Sequence, residues 1–148
     1  MEIDPLVVQL SARWLGLNFE TVSGPLGEEA VASGGAADGR FAVCVADGAD
    51  WMARAVVAVQ RERSVARAAV ICLDAYDGAG QVPAHLQSSR FLRSCAALLR
   101  PGGVLMANVW HAAGGFDAFV RELREGFATV EQREVPGDDK NVVLVAVL

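Results

Sequence analysis

Carboxylates stand where apolar segments of this 148-residue chain end. Asp47 follows the run at residues 41–46 (FAVCVA), and Asp74 closes the run at residues 68–73 (AAVICL). In an open parallel sheet, ligands bind in the crevice outside the carboxyl ends of the strands. An ionised carboxylate accepts hydrogen bonds from ribose hydroxyls and from amino groups. The pattern therefore predicts a site for a ligand rich in such donors, although each acid taken singly also suits a helix N-cap.

Asp74 and Asp77 are the sharpest case, because Tyr76 lies between them and Gly78 follows in a segment with no helical period. Such a pair could hold a cationic amine and, with one pKa tuned upward, remove a proton from it. A turn built on Asp and Gly explains the same residues equally well. Both interpretations stay open at the level of sequence.

Helical and strand patterns alternate along the chain and must position these acids. The apolar spacing predicts helices at residues 5–15, 49–59, 88–100 and 116–127, and strands buried on both faces at residues 41–46, 68–73 and 104–109. Residues 129–135 and 141–148 flank a short Pro-Gly-Asp-Asp turn and must pair antiparallel. We therefore predict an α/β three-layer sandwich whose mainly parallel sheet ends in a C-terminal antiparallel hairpin.

The remaining segments are assigned by composition. Residues 18–40 are rich in glycine and lack any sustained period, so they are predicted to form a loop. Aromatic residues at helical spacing, including Trp14, Trp51, Phe91, Phe116, Phe119 and Phe127, are predicted to fill the core.

Charge and composition exclude several classes of function. A net charge of −5 argues against nucleic-acid binding, which needs a basic surface. No apolar run is long enough to span a membrane, and residues 1–4 begin no secretory signal, so a cytoplasmic location is expected. Cys44, Cys72 and Cys95 are predicted to be reduced core residues, and no metal site is expected because no Cys or His pair has ligand spacing.

Five segments occur in the same order, and at similar spacing, as in spermidine-synthase-like proteins of the class I S-adenosylmethionine-dependent methyltransferase superfamily. The chain also resembles the C-terminal domain of the enzyme that methylates eukaryotic elongation factor 1A. The segments are residues 2–8 (EIDPLVV), 46–51 (ADGADW), 73–78 (LDAYDG), 82–86 (VPAHL) and 99–104 (LRPGGV).

The resemblance implies a nucleoside cofactor, either S-adenosylmethionine or its decarboxylated form. Glu2, in a signature that includes Asp4, would hold the ribose hydroxyls. Asp47 and the backbone of Gly48 would contact adenine. Asp74 would lie where the cofactor meets the acceptor.

The same resemblance implies transfer of a methyl or aminopropyl group to an amine, either a small molecule or a protein. Asp74 would orient or deprotonate the attacking nitrogen, and Tyr76 and Asp77 would shape the acceptor site. A carboxylate near the amine is chemically sensible, because the nucleophile must be unprotonated and in line with the carbon.

In that superfamily, a central strand and a glycine-rich cofactor loop precede the position of Glu2. Residues 1–148 are therefore expected to form a single, N-terminally incomplete domain. Each buried backbone group that loses its partner costs about 1–3 kcal/mol, so a longer polypeptide is the favoured explanation. The alternative function is an inactive homologue that serves as a binding or dimerisation module, for example as a homodimer.

Overall fold

The computed structural model describes residues 2–16, 20–22, 42–61, 67–112 and 114–148. Residue contacts divide the chain into two compact units, Met1–Arg67 and Ala68–Leu148. In the part of the chain that is described, no helix has the length and apolar character needed to cross a bilayer.

The first unit opens with helix α1, Pro5–Leu15, as the sequence predicts. The Asp4 side chain accepts a hydrogen bond from the Leu6 amide at 2.8 Å, which satisfies one of the free donors at the helix start. The helix ends at Gly16, whose φ of 63° lies in the left-handed region that glycine adopts without strain.

A parallel strand pair follows, formed by β1 (Glu20–Val22) and β2 (Ala42–Cys44). The loop predicted for residues 18–40 is therefore wrong at Glu20–Val22, because a three-residue strand is too short to show a period. The rest of that segment lies outside the described residues. Beyond β2, Glu2 forms a parallel bridge with Val45. Helix α2, Gly48–Arg61, then completes the unit and buries Met52 and Ala55.

The second unit is a four-stranded sheet in the order β3-β4-β6-β5. Its strands are β3 (Ala68–Leu73), β4 (Leu99–Trp110), β5 (Thr129–Val135) and β6 (Asp138–Val147). Strands β3 and β4 are parallel, whereas β6 is antiparallel to both β4 and β5. The α/β class and the C-terminal hairpin are confirmed, and two of the three pairings in this sheet are antiparallel.

One face of this sheet carries the core. A 3₁₀ helix, Ala84–Gln87, and helices α3 (Ser89–Leu98) and α4 (Phe116–Gly126) complete the unit. Leu105, Leu144, Phe119 and Leu123 are almost fully buried where the strands and α4 contribute to the core. The predicted core roles of Phe91, Phe119 and Phe127 are confirmed.

The opposite face of the sheet is open. Val70 is 50% exposed and Met106 is 39% exposed, and Cys72 is also exposed. The prediction that β3 is buried on both faces is therefore wrong. Successive strand residues point to opposite faces, and an apolar composition does not say whether a second layer covers each of them.

Two other core predictions also fail for that reason. Trp14 is 72% exposed, because the helical period identifies an apolar face but not what packs on it. Cys72 is exposed, whereas Cys95 is fully buried and burial raises the pKa of its thiol to about 12. All three cysteines are free thiols, as predicted.

Strand β4 begins two residues before the predicted end of the preceding helix. The pairing of β3 with β4 steps from Ala68–Leu99 to Val70–Val104, so Pro-Gly-Gly is accommodated as an irregularity inside the strand. Gly103 is required there, since a Cβ at this position would lie 2.8 Å from the Arg100 carbonyl oxygen. The turn residues therefore set the strand register.

Candidate functional site

In the first unit, Glu2 lies beside the end of β2. Its amide donates to the Cys44 carbonyl at 3.0 Å, and its carbonyl accepts from the Ala46 amide at 2.9 Å. Asp47 is the next residue along the chain. The parallel bridge therefore brings two of the predicted nucleoside-binding residues to the same edge of this unit.

Both carboxylates are held by backbone amides. Glu2 Oε1 accepts from the amides of Ile3 and Asp4 at 2.8 and 3.0 Å. Asp47 Oδ1 accepts from the amides of Ala49 and Asp50 at 2.9 and 3.0 Å, which caps α2. Within the described residues, Glu2 Oε2 makes no hydrogen bond, so one oxygen of this anchored carboxylate can accept from a ligand hydroxyl.

Asp4 and Gly48 occupy structural positions at the starts of helices. The Asp4 carboxylate caps α1, as described above, and Gly48 is the first residue of α2. The N-cap explanation, which the sequence offered for single acids, therefore applies to Asp4 and Asp47. Capping uses one oxygen of each carboxylate and does not conflict with ligand binding by the other.

In the second unit, the structure brings Asp74 together with Asn108. Leu73 pairs with Ala107, so the next residues of β3 and β4 emerge side by side. Asn108 Nδ2 donates to Asp74 Oδ1 at 3.2 Å. Two polar side chains 34 residues apart in sequence thus form a pair at the carboxyl ends of neighbouring parallel strands.

This pair borders a cavity of about 360 Å³ on the open face of the sheet. Its walls are mainly apolar, and its polar groups are the Asp74 carboxylate and two side-chain amides. An apolar hollow with a few polar groups is the usual form of a small-molecule site. The residues that line it are Cys72, Leu73, Asp74, Met106, Asn108, Val135, Asn141 and Val143.

Two buried polar atoms on β4 have no hydrogen-bond partner in the part of the chain that is described. They are the Asn108 Oδ1 acceptor and the Trp110 Nε1 donor. Their side chains are two residues apart and share a face of the strand. Because leaving a buried polar atom unpaired costs about 1–3 kcal/mol, such an atom beside a cavity is a candidate contact for a ligand.

Asp77 builds the turn that follows β3. Its Oδ1 accepts from the amides of Ala79 and Gln81 at 2.9 and 3.0 Å. Its backbone amide donates to the Gln81 carbonyl at 2.8 Å. The turn interpretation therefore accounts for this oxygen of Asp77, and the side-chain partner that the structure gives Asp74 is Asn108.

Tyr76 lies near two carboxylates, one on each side of the open sheet face. Burial raises the pKa of its phenol above the ordinary value of 10.0, and the negative charges of Asp74 and Asp138 raise it further. The phenol therefore keeps its proton at neutral pH and is available as a hydrogen-bond donor.

We expect Tyr76, the only tyrosine in the chain, to ionise above pH 10.0 in an ultraviolet-absorbance titration. Since the neutral phenol is favoured in the folded state, its contribution to stability is present below pH 10.0 and is lost as the pH rises through the folded-state pKa. Asp74→Asn and Asp138→Asn should each lower the pKa. A titration indistinguishable from that of the urea-unfolded chain would contradict the placement of Tyr76.

The C-terminal hairpin supplies a further polar group that the sequence did not single out. Asp138 accepts from the Lys140 amide at 2.9 Å and from Asn141 Nδ2 at 2.7 Å. These hydrogen bonds lower the pKa of the Asp138 carboxyl. Asn141 lines the cavity because it pairs with Trp110 across β4 and β6. The register of the hairpin is the signal that would have identified it.

Asn108 was recognised in the sequence as a strand-ending residue, but not as a site residue. Its place at the carboxyl end of β4 was the available signal. Among the described residues, no three His, Cys, Asp or Glu side chains are grouped so as to hold a metal ion.

Sequence comparison gives no match to a protein-family model or to a curated protein. Solved structures do match. Human methyltransferase-like protein 13 in complex with SAH aligns over 99% of this chain and 59% of its own, with a TM-score of 0.75 and 20% identity. Spermidine synthase in complex with the transition-state analogue AdoDATO aligns over 99% of this chain and 44% of its own, with a TM-score of 0.63 and 18% identity.

Spermidine synthase from Thermotoga maritima gives a TM-score of 0.59 at 19% identity, over 99% of this chain and 43% of its own. The chain thus spans roughly two fifths to three fifths of the length of these neighbours. It has the Rossmann-like fold of class I S-adenosylmethionine-dependent methyltransferases and spermidine synthases, as its sequence motifs predict.

Proposed function

We propose that the chain is part of a transferase that moves a methyl or aminopropyl group from a sulfonium nucleoside to an amine. The observation that carries this proposal is the Asp74–Asn108 pair at 3.2 Å on the border of a cavity of about 360 Å³. It lies at the carboxyl ends of two parallel strands in a methyltransferase-like fold, which is where open α/β sheets bind ligands.

The nucleoside would be S-adenosylmethionine or its decarboxylated form, held by the first unit. Glu2 fits this ligand, because its anchored carboxylate retains an oxygen that can accept from ribose hydroxyls. Asp47, Gly48 and Asp4 would complete the binding of ribose and adenine. The bound nucleoside supplies a carbon made electrophilic by its sulfonium. SAH in one structural neighbour and AdoDATO in another support this class of ligand.

The amine would bind in the second unit. Asp74 accepts an N–H, neutralises the charge of an ammonium group and can take up its proton. The Tyr76 phenol and the turn held by Asp77 would shape the entrance for either a small-molecule amine or an amine of a protein. The open sheet face leaves room for both.

Titration calorimetry tests the nucleoside half of the proposal. We expect heat from at least one of S-adenosylmethionine, decarboxylated S-adenosylmethionine and methylthioadenosine. Glu2→Gln should weaken binding by about tenfold, the effect of losing one charge-assisted hydrogen bond. The glutamine keeps the Oε1 acceptor for Ile3 and Asp4, so the local fold is preserved. Asp50→Asn, at an exposed acid of α2, is the matched control and should bind as the unaltered chain does.

A module that binds or dimerises without catalysis is the second candidate. The open sheet face, with Val70 and Met106 exposed, favours it. Absence of heat with all three nucleosides, together with a dimer that dissociates on dilution in sedimentation experiments, would support the module and reject the transferase.

A further inference from the structure

We propose that Asn108 is a second amine-binding residue, which together with Asp74 selects a nitrogen that carries at least two hydrogens. This inference rests on the proposed function and adds a residue and a rule of selection to it. It starts from the buried Asn108 Oδ1, which has no partner among the described residues.

The orientation of the Asn108 amide follows from its neighbour. Asp74 is an acceptor when ionised, so the Nδ2 group of Asn108 must face it, as the 3.2 Å contact shows. The reversed amide would place two oxygen atoms against each other. Asn108 Oδ1 is thereby turned away from Asp74 and is left as an acceptor at the cavity.

Two acceptors of different charge therefore border one cavity. A neutral primary amine has two N–H groups and one lone pair. If Asp74 and Asn108 Oδ1 each accept one N–H, the lone pair is left free to attack. A neutral secondary amine has a single N–H, so it leaves one buried acceptor unpaired, and that is costly. The pair consequently favours primary amines as nucleophiles.

The rule can be tested by binding alone, without any nucleoside. At neutral pH the probes are n-butylammonium, N-methylbutylammonium and N,N-dimethylbutylammonium, which carry three, two and one N–H groups. We expect the first two to bind the unaltered chain with similar affinity. The third should bind about tenfold more weakly, because one acceptor then has no donor.

Asn108→Leu should abolish this step, so that the second and third probes bind alike. Asn108→Val, which suits a strand, provides the same test if the leucine variant does not fold. Gln132→Leu, an exposed polar-to-apolar change on β5, should keep the step. Circular dichroism and thermal unfolding establish that each variant is folded.

The possible outcomes separate this inference from the proposed function. A step in the unaltered chain that is lost only in the Asn108 variants supports the inference. Equal binding of all three probes, or a step that persists without Asn108, overturns it, since the latter would reflect bulk alone. Because the titrations contain no nucleoside, failed nucleoside binding would count against the transferase and leave the amine result intact.

Discussion

Asp74→Asn is expected to weaken the binding of n-butylammonium by about 10- to 100-fold, the usual effect of removing the charge from a charge-assisted hydrogen bond. The Asp74 carboxylate is the charged group among the residues that line the cavity, and Asn108 is its side-chain partner. Substitution by asparagine keeps the shape and removes the charge. Titration calorimetry at neutral pH measures the change.

The same substitution should reduce group transfer by roughly 10²- to 10⁴-fold, the range for loss of an acid–base group. Asp117→Asn is the matched control, because Asp117 is an exposed acid in the first turn of α4 and does not line the cavity. It should leave both amine binding and transfer within about threefold of the unaltered chain, as expected for an isolated surface charge. Unchanged amine affinity in Asp74→Asn would remove Asp74 from the site.

Leu105→Ala is expected to lower the free energy of unfolding by about 2–5 kcal/mol, the range for truncating a buried leucine. Leu105 is fully buried on the face of β4 that carries the core. The loss removes apolar contact and leaves a void that the surrounding strands and helices fill only in part. Urea unfolding followed by circular dichroism measures it.

Met106→Ala is the matched control for this stability prediction. Met106 is the next residue of the same strand but points to the open face and is 39% exposed. Its truncation should cost less than about 1 kcal/mol, because little buried surface is lost. Equal costs for the two variants would show that the open face is covered in solution and would contradict the two-faced description of the sheet.

The local elements of this protein could be predicted from its sequence to within a few residues. The apolar run at Ala68–Leu73 corresponds to β3 without error, and Pro5–Leu15 corresponds to α1. Period and capping are local properties, so a single chain suffices to identify them. The same holds for the position of Asp74 at the end of a strand, and the motif order indicated the fold that the structural neighbours share.

The tertiary structure decided which side chains meet. The pairing of β3 with β4 advances two residues on one strand and five on the other between Ala68–Leu99 and Val70–Val104. No count along the sequence would have set Asp74 beside Asn108 without that irregularity. Which face of the sheet is open was likewise undetermined, because apolar residues on both sides of a strand look alike until packing shows which are covered.

The sequence by itself determined the helices, the strands and the acids at the strand ends, because each depends on neighbours only a few residues away. Strand register, the direction of the Asn108 amide and the surroundings of Tyr76 depend on residues more than thirty positions apart. Such contacts form only when the sheet assembles, and they turned a row of acids into a cavity with one charged and one neutral acceptor.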